Sequence, residues 1–320
     1  MFSFNQLFSG NAELALSASG LTKAPVSLDD FFDDHYYPHC KATIKTHRHT
    51  WLTYEKHFRK GLGSVNLKEL DNMILNRWVR EQIALGFKYS TINKHIFLVN
   101  RLLGTARNWG VIPDIQFYNL KLKKLPTGDY RQRFLSQDEM HRLVAECDKV
   151  NHPYLALFVQ FLLLTGARKG EARMARWRDI DFQNRVWRVP VSKNGRSRRI
   201  MLSSGAIATL DRIRQTSDQL GMPSDINEYL FVNPKTRTCY HSFHAAFFKA
   251  RDAAGLSDVR IHDLRHTFAS VLINRGVSLY EVQELLGHSN AQMTQRYAHL
   301  QPNELQRRTE IMGQLMFGIG

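Results

Sequence analysis

Ten consecutive residues, Leu155-Ala156-Leu157-Phe158-Val159-Gln160-Phe161-Leu162-Leu163-Leu164, include one polar side chain. A helix made from such a run is apolar on every side and has to be wrapped by other elements. It is half the ~20 residues needed to span the hydrocarbon core of a bilayer. The run therefore predicts a buried helix near 154–165 inside a globular domain, and its flanks show how that domain is entered and left. Upstream, Ser136 and Glu139 have capping-box spacing, with Leu135 and Met140 placed for a hydrophobic staple. Downstream, Thr165-Gly166-Ala167-Arg168-Lys169-Gly170-Glu171 holds two glycines close together, which predicts a tight turn with Arg168 near the start of a further helix.

Between 180 and 202 the period changes. Val186 to Val191 is rich in strand formers, Asn194-Gly195 is a strong hairpin turn, and Arg196 to Leu202 supplies the return strand. Lys193 stands just before the turn. From about 205 to 315 the pattern is helical again, broken at Gly221-Met222-Pro223, Gly255 and Gly276. The second domain thus reads as mixed α+β with a small antiparallel sheet.

The segment 27–122 reads as a bundle of about four helices. Ser27 caps the first, which contains Leu28, Phe31 and Phe32. Trp51, Tyr54 and Phe58 share a face of the second, and Leu67, Leu70, Ile74 and Trp78 a face of the third. Ile92, Ile96, Val99, Leu103 and Ala106 mark the fourth, with Ser90 and Thr91 as candidate caps and Gly110 and Pro113 as its stop. Residues 1–26 read as an N-terminal arm. Residues 123–133 are basic, contain Pro126 and Gly128, lack an apolar period, and read as a linker. The second domain is expected over 134–320, and the chain as a whole is mainly α.

Charge narrows the partner. Lys and Arg number 44 against 29 Asp and Glu, a formal +15, which favours a polyanion, nucleic acid before an anionic membrane. Residues 167–200 are the densest stretch, net +8. Cys40, Cys147 and Cys239 are few and far apart, so neither a disulfide framework nor a zinc site is expected. Met1-Phe2-Ser3-Phe4-Asn5 lacks the basic start and apolar run of a secretory signal. The expectation is a cytoplasmic, nucleoid-associated protein with reduced thiols and no membrane partner.

The chemistry concentrates between His262 and His299: His262-Asp263-Leu264-Arg265-His266, then Leu286-Gly287-His288-Ser289, then Arg296-Tyr297-Ala298-His299. Two guanidiniums, Arg168 and Arg265, can hold the non-bridging oxygens of one phosphodiester and stabilise added charge on phosphorus. A tyrosine hydroxyl has a pKa of about 10, so ionising it at pH 7 costs about 4 kcal/mol. Tyr297 therefore needs a positive field and a proton acceptor, which a histidine can be. Lys193 can protonate a leaving alkoxide. Phosphoryl transfer from DNA to tyrosine is thus possible without a metal.

In these residues, in this order, the chain resembles the tyrosine recombinase (phage integrase) family. The resemblance is tight over about 134–300 and weaker over the N-terminal helices, which look like that family's SAM-like core-binding domain. It implies Arg168, Lys193, His262, Arg265, His288 and Tyr297 as catalytic residues. Arg168 and Arg265 would clamp the scissile phosphate. Tyr297 would attack it, leaving a 3′-phosphotyrosine and a free 5′-hydroxyl, and Lys193 would be the general acid. His288 would hydrogen-bond the phosphate, His262 would assist proton transfer at the tyrosine, and Glu171 would buttress the arginines. No cofactor, metal or ATP is implied. Double-stranded recombination sites are the implied partner, with Lys94, Lys123, Lys124, Arg131, Arg133 and Arg196 as DNA contacts and accessory DNA-bending or directionality proteins as optional ones.

The function implied is site-specific recombination, with integration and excision of a mobile element as its biological setting. The alternatives are Xer-like dimer resolution and type IB topoisomerase-like relaxation. His262 and His266 lie four apart, as zinc ligands on a helix do, but no third ligand is evident, and His266 is expected to be structural. After Tyr297, the apolar Leu305, Ile311, Met312, Leu315, Met316 and Phe317 are expected to form an exchange segment that docks on a neighbouring protomer in a homotetramer on two duplexes.

Overall fold

In the computed structural model the described residues are 27–120, 122–128, 132–190, 197–222, 225–288, 290, 292–300 and 302–318, the side chains of 302–308 excepted. The expected arm 1–26, Arg131, Lys193, the Asn194-Gly195 turn and Arg196 lie outside them. The chain divides into two compact units, Met1–Asp129 and Tyr130–Gly320.

The first unit is helical. Ser27 Oγ accepts from the Asp30 N–H (3.1 Å) and Asp30 Oδ2 from the Ser27 N–H (2.9 Å), a reciprocal cap that starts α1 (Leu28–Asp30). The backbone then widens into a π-helical turn, Phe31–Tyr36, before α2 (Tyr37–Thr43), where Pro38 has no N–H to give to the turn before it. There follow α3 (His47–His57), α4 (Asn72–Ala84), α5 (Tyr89–Asn108) and α6 (Asp114–Asn119). The core is aromatic at its centre: Tyr54 stacks on Phe32 at 3.6 Å, and Phe58 packs on Trp78 at 4.9 Å.

Three local expectations are corrected. Leu67 and Leu70 are buried but precede α4, which begins after Asp71 caps it through the Ile74 N–H. Ser90 and Thr91 lie inside the first turn of α5, behind an N-cap at Lys88. Trp51 is 36% exposed while Tyr54 and Phe58 are buried, so the three do not share one buried face.

In the second unit the Ser136–Glu139 capping box opens α7 (Gln137–Lys149), which packs on the buried helix α8 (Leu155–Thr165). Eight of the eleven α8 residues are buried. Each fully buried Leu or Phe contributes roughly 1.5–3 kcal/mol. A short helix α9 (Lys169–Arg173) and a 3₁₀ turn lead into the sheet: β1 (Ile180–Asp181), β2 (Val186–Val189) and β3 (Arg198–Met201), antiparallel in that order. Trp187 pairs with Ile180 on one side and Ile200 on the other, and its ring meets Phe161 of α8 at 5.2 Å. The strand β1 was not foreseen. Helices α10 (Ser204–Gln219), α11 (His244–Ala253) and α12 (Asp263–Asn274) complete the wrap, α10 and α12 against α8 and α11 against α7. Then come α13 (Leu279–Leu286), α14 (Gln292–Gln295), a 3₁₀ turn Ala298–Leu300 and α15 (Pro302–Phe317). No helix among the described residues is long and apolar enough to cross a membrane.

Candidate active site

The site is assembled at helix ends. Helix α8 stops at Gly166, whose φ of 59° is left-handed and whose N–H closes on the Leu162 carbonyl. A Cβ at Gly166 would stand 2.5 Å from the Phe268 ring, so glycine lets α12 approach this turn. That approach brings Arg265, in the first turn of α12, onto the Gly166 carbonyl (Nη1, 2.7 Å).

The other side of Arg265 meets the end of α13. Ser278 and Glu281 box its N-terminus, and Gly287, at φ 62°, ends it. The last carbonyls of a helix have no partner within it and carry its negative pole. Here two guanidiniums satisfy them. Arg265 Nη2 donates to the Leu286 carbonyl (2.7 Å), and Arg198 Nη1 to the Leu286 (2.7 Å) and Leu285 (3.2 Å) carbonyls. Arg198 passes so close to Gly287 that a Cβ there would be 2.4 Å from its Cδ.

Glu171 joins this pair to Arg168. Its Oε1 accepts from Arg168 Nη1 (2.9 Å), while Oε2 accepts from the Arg168 N–H (2.9 Å) and Arg198 Nη2 (2.7 Å). Burial pushes the Glu171 carboxyl up, but Arg198 and then Arg168 outweigh it and hold it below the usual carboxylate range. Arg265 is 3% exposed. Burial, with Arg168 and Arg198 adding to it, brings its pKa down to about 9, so it remains a cation at neutral pH. Arg168 keeps a third of its side chain exposed.

His288 follows Gly287, and its Nδ1 is 2.8 Å from the hydroxyl of buried Thr294. Burial first, then Arg265 and Arg168, push its pKa down to about 3, so the ring is neutral near pH 7. His262 directly precedes α12, makes no side-chain capping bond to it and is exposed. Desolvation of its ring, then Arg265, still lowers its pKa, while Asp263 opposes them.

Tyr297 is buried, at 5% exposure. Burial raises its pKa; Arg296 and Arg265 pull the other way and do not overcome it. The positive field expected around the phenol is present, but without DNA the phenol stays protonated. Its hydroxyl lies 2.5 Å from Nδ1 of His266, on α12. The sequence reading makes His266 structural and gives His262 the proton transfer at the tyrosine; in the structure it is His266 that lies at the hydroxyl. The His262 ring instead meets His266 edge-on, centroids 5.0 Å apart.

Arg168, Glu171, Arg265, His262, His288 and Tyr297 are thus described within one unit. Lys94, Lys123 and Lys124 are exposed in the other. Arg133 is partly exposed, and its guanidinium is engaged within the fold: Glu139 takes both Nη atoms (2.9 and 2.8 Å) and Asp258 takes Nε (2.9 Å). Sequence reasoning missed Arg198 and His266. The His262–His266 spacing is visible in the sequence, where it reads as a metal pattern or as a structural histidine beside a functional one. Among the described residues no group of three or more His, Cys, Asp or Glu could hold a metal ion.

Comparison with known proteins decides the family. The profile described as "Phage integrase family" matches residues 133–304, more than half of the chain. The chain belongs to the phage integrase family. This integrase-family chain is 30% identical over 226 residues to the integrase of Salmonella phage P22, covering 66% of this chain and 54% of that protein. It is 28% identical over 201 residues to tyrosine recombinase XerA of Pyrococcus horikoshii, covering 62% and 66%. The chain spans about half the length of the first curated relatives it matches. Its fold is similar to that of the Tn1549 transposon integrase in complex with a circular intermediate DNA (TM-score 0.69, 19% identity, covering 90% of this chain and 100% of that one). It is also similar to a lambda integrase dimer bound to a COC′ core site (TM-score 0.67, 20% identity, covering 82% and 93%).

Proposed function

We propose that this chain is a site-specific DNA recombinase that cuts and rejoins duplex DNA through a 3′-phosphotyrosine on Tyr297. The observation that carries the reading is the Arg168–Glu171–Arg198–Arg265 network, built within the same unit as a buried tyrosine and two neutral histidines. Arg168 and Arg265 clamp the non-bridging oxygens of the scissile phosphate, already positioned by Glu171 and by two backbone carbonyls. Neutral His288 donates a hydrogen bond to the phosphate through Nε2. Lys193 protonates the departing 5′-oxygen. His262 closes the site beside the tyrosine's partner histidine. No bond energy is lost in the phosphotyrosine, so a 5′-hydroxyl from a partner strand reverses the step without ATP.

The helical N-terminal unit contacts DNA in this reading, through Lys94 and the basic Lys123 and Lys124. Relatives named phage integrase support integration and excision of a mobile element; those named Xer recombinase support dimer resolution as the second reading. The test is to incubate the protein with nicked duplexes from DNA flanking its own locus and map the covalent adduct. Tyr297→Phe should bind that DNA as the wild type does and form no adduct. A persistent adduct would show another nucleophile. Joined strands from two sites mark a recombinase, whereas relaxation of one plasmid alone marks a topoisomerase.

The tetramer is part of the same proposal. On α15, Ile311, Met312, Leu315, Met316 and Phe317 are 53–74% exposed, an apolar surface that a neighbouring protomer would cover. Deleting 303–320 should abolish synapsis of two duplexes and leave single-site binding. Intact synapsis would sink the exchange idea.

A further inference from the structure

A neutral, buried phenol cannot attack phosphorus without giving up its proton, and the acceptor has to be within hydrogen-bond reach of the oxygen. Besides the exposed His299 on the turn after Tyr297, three imidazoles lie in this part of the unit. His288 has Nδ1 on the Thr294 hydroxyl and, pushed down to about 3, is too weak a base for the task. His262 meets the His266 ring edge-on. His266 is at the oxygen itself: Nδ1 is 2.5 Å from the Tyr297 hydroxyl, with the ring centroids 5.9 Å apart.

Its position is fixed by the same helix that fixes the clamp. His266 follows Arg265 on α12, and Arg265 is tied to the Gly166 and Leu286 carbonyls. Thr267, the next residue, is buried with its hydroxyl on the Asp263 carbonyl and accepts the Leu135 N–H. The helix therefore cannot turn without breaking bonds on both sides of the ring.

We infer that His266 is the general base that takes the Tyr297 proton during cleavage and returns it during rejoining. This rests on the phosphotyrosine reading above. In cleavage the Tyr297 oxygen bonds to phosphorus and the phosphorus–5′-oxygen bond breaks. The phenolic proton moves to His266 Nδ1, the ring having carried its own proton on Nε2, and the 5′-oxygen takes a proton from Lys193. In rejoining, the incoming 5′-hydroxyl attacks phosphorus, and the tyrosine leaves with the proton held on Nδ1.

The charged and titratable groups around the pair set how long that proton stays. His262, Asp263 and Arg265 belong to His266's own helix. Arg296 flanks the phenol, His288 follows α13, and Arg168, Glu171 and Arg198 lie beyond Arg265. With four guanidiniums against two carboxylates around it, an imidazolium formed in cleavage is poised to give its proton back when the tyrosine leaves.

The experiment is single-turnover adduct formation on a nicked duplex of the sequence that wild-type protein cleaves, measured across pH for wild type, His266→Asn and His266→Ala. Asn keeps an acceptor oxygen near the place of Nδ1 but cannot be protonated. Both variants should bind DNA as wild type does and melt near its temperature, yet cleave about 10²–10⁴-fold more slowly at neutral pH. Their rates should keep climbing with pH as hydroxide takes over, while the wild-type rate levels off above the imidazole range. Added imidazole should restore part of the His266→Ala rate. Wild-type speed in His266→Asn, or an unchanged pH profile in both variants, would overturn the inference and leave His266 a positioning residue. An adduct on a residue other than Tyr297 would instead defeat the phosphotyrosine reading, whatever the His266 variants do.

Discussion

Glu171 is the residue on which the arginine network turns, because one carboxylate holds Arg168 through side chain and backbone and Arg198 through the other oxygen. Glu171→Gln keeps the shape and removes the charge. It should destabilise the folded protein by about 1.5–3 kcal/mol at pH 7, the range for hydrogen bonds to charged groups. Glu171 has a lowered pKa when folded, so its contribution is fully present above the unfolded value of about 4.3 and is lost as pH falls through the folded one. Urea unfolding should therefore show the gap between wild type and Glu171→Gln at neutral pH and its closure in acid. A gap that persists at low pH would mean that packing, not charge, is what the substitution removes.

At the scale of elements, the turns after α8 and α13 are built on glycines whose missing Cβ is filled by a neighbour. Gly166→Ala would place a methyl against Phe268 in a left-handed conformation. A loss of about 2–4 kcal/mol is expected from the strain and overpacking together. Because the Gly166 carbonyl carries Arg265, DNA cleavage should fall with it; a melting temperature equal to wild type would contradict this account. Elements set by local chemistry were legible in the sequence. The Ser27 and Ser136 capping boxes, the all-apolar α8 and the strands on either side of Asn194-Gly195 each follow from residues within a turn or two of one another. Leu67 and Leu70 misled because spacings of three and four persist across a break that only the Asp71 cap reveals. The six motif positions were readable in order, but the partner of Tyr297 was not. Nothing within four residues of His266 indicates that a tyrosine 31 positions later will reach it.

For the whole molecule, net charge overstated what is available to a polyanion. The stretch 167–200 is net +8, yet several of its arginines are engaged within the fold. Arg198 holds Glu171 and the end of α13, Arg173 donates to the Tyr240 carbonyl, and Arg176 lies over the Tyr229 ring at 3.9 Å. Composition counts charges; only tertiary structure says which remain exposed. With six to ten phosphates contacted, DNA affinity should still fall about 10³–10⁵-fold between roughly 50 and 200 mM salt. A filter-binding titration across that range checks it, and a flat response would remove the phosphate backbone as the main source of affinity.

The two carbonyls on Arg265 also decide which substitutions can be interpreted. Truncating that side chain strands the Gly166 oxygen in a buried place and leaves the Leu286 oxygen to Arg198 alone, so an inactive Arg265→Ala protein confounds lost chemistry with a damaged scaffold. Arg168, a third exposed and bound to a single carboxylate, is the cleaner knockout for asking what a guanidinium does to phosphorus.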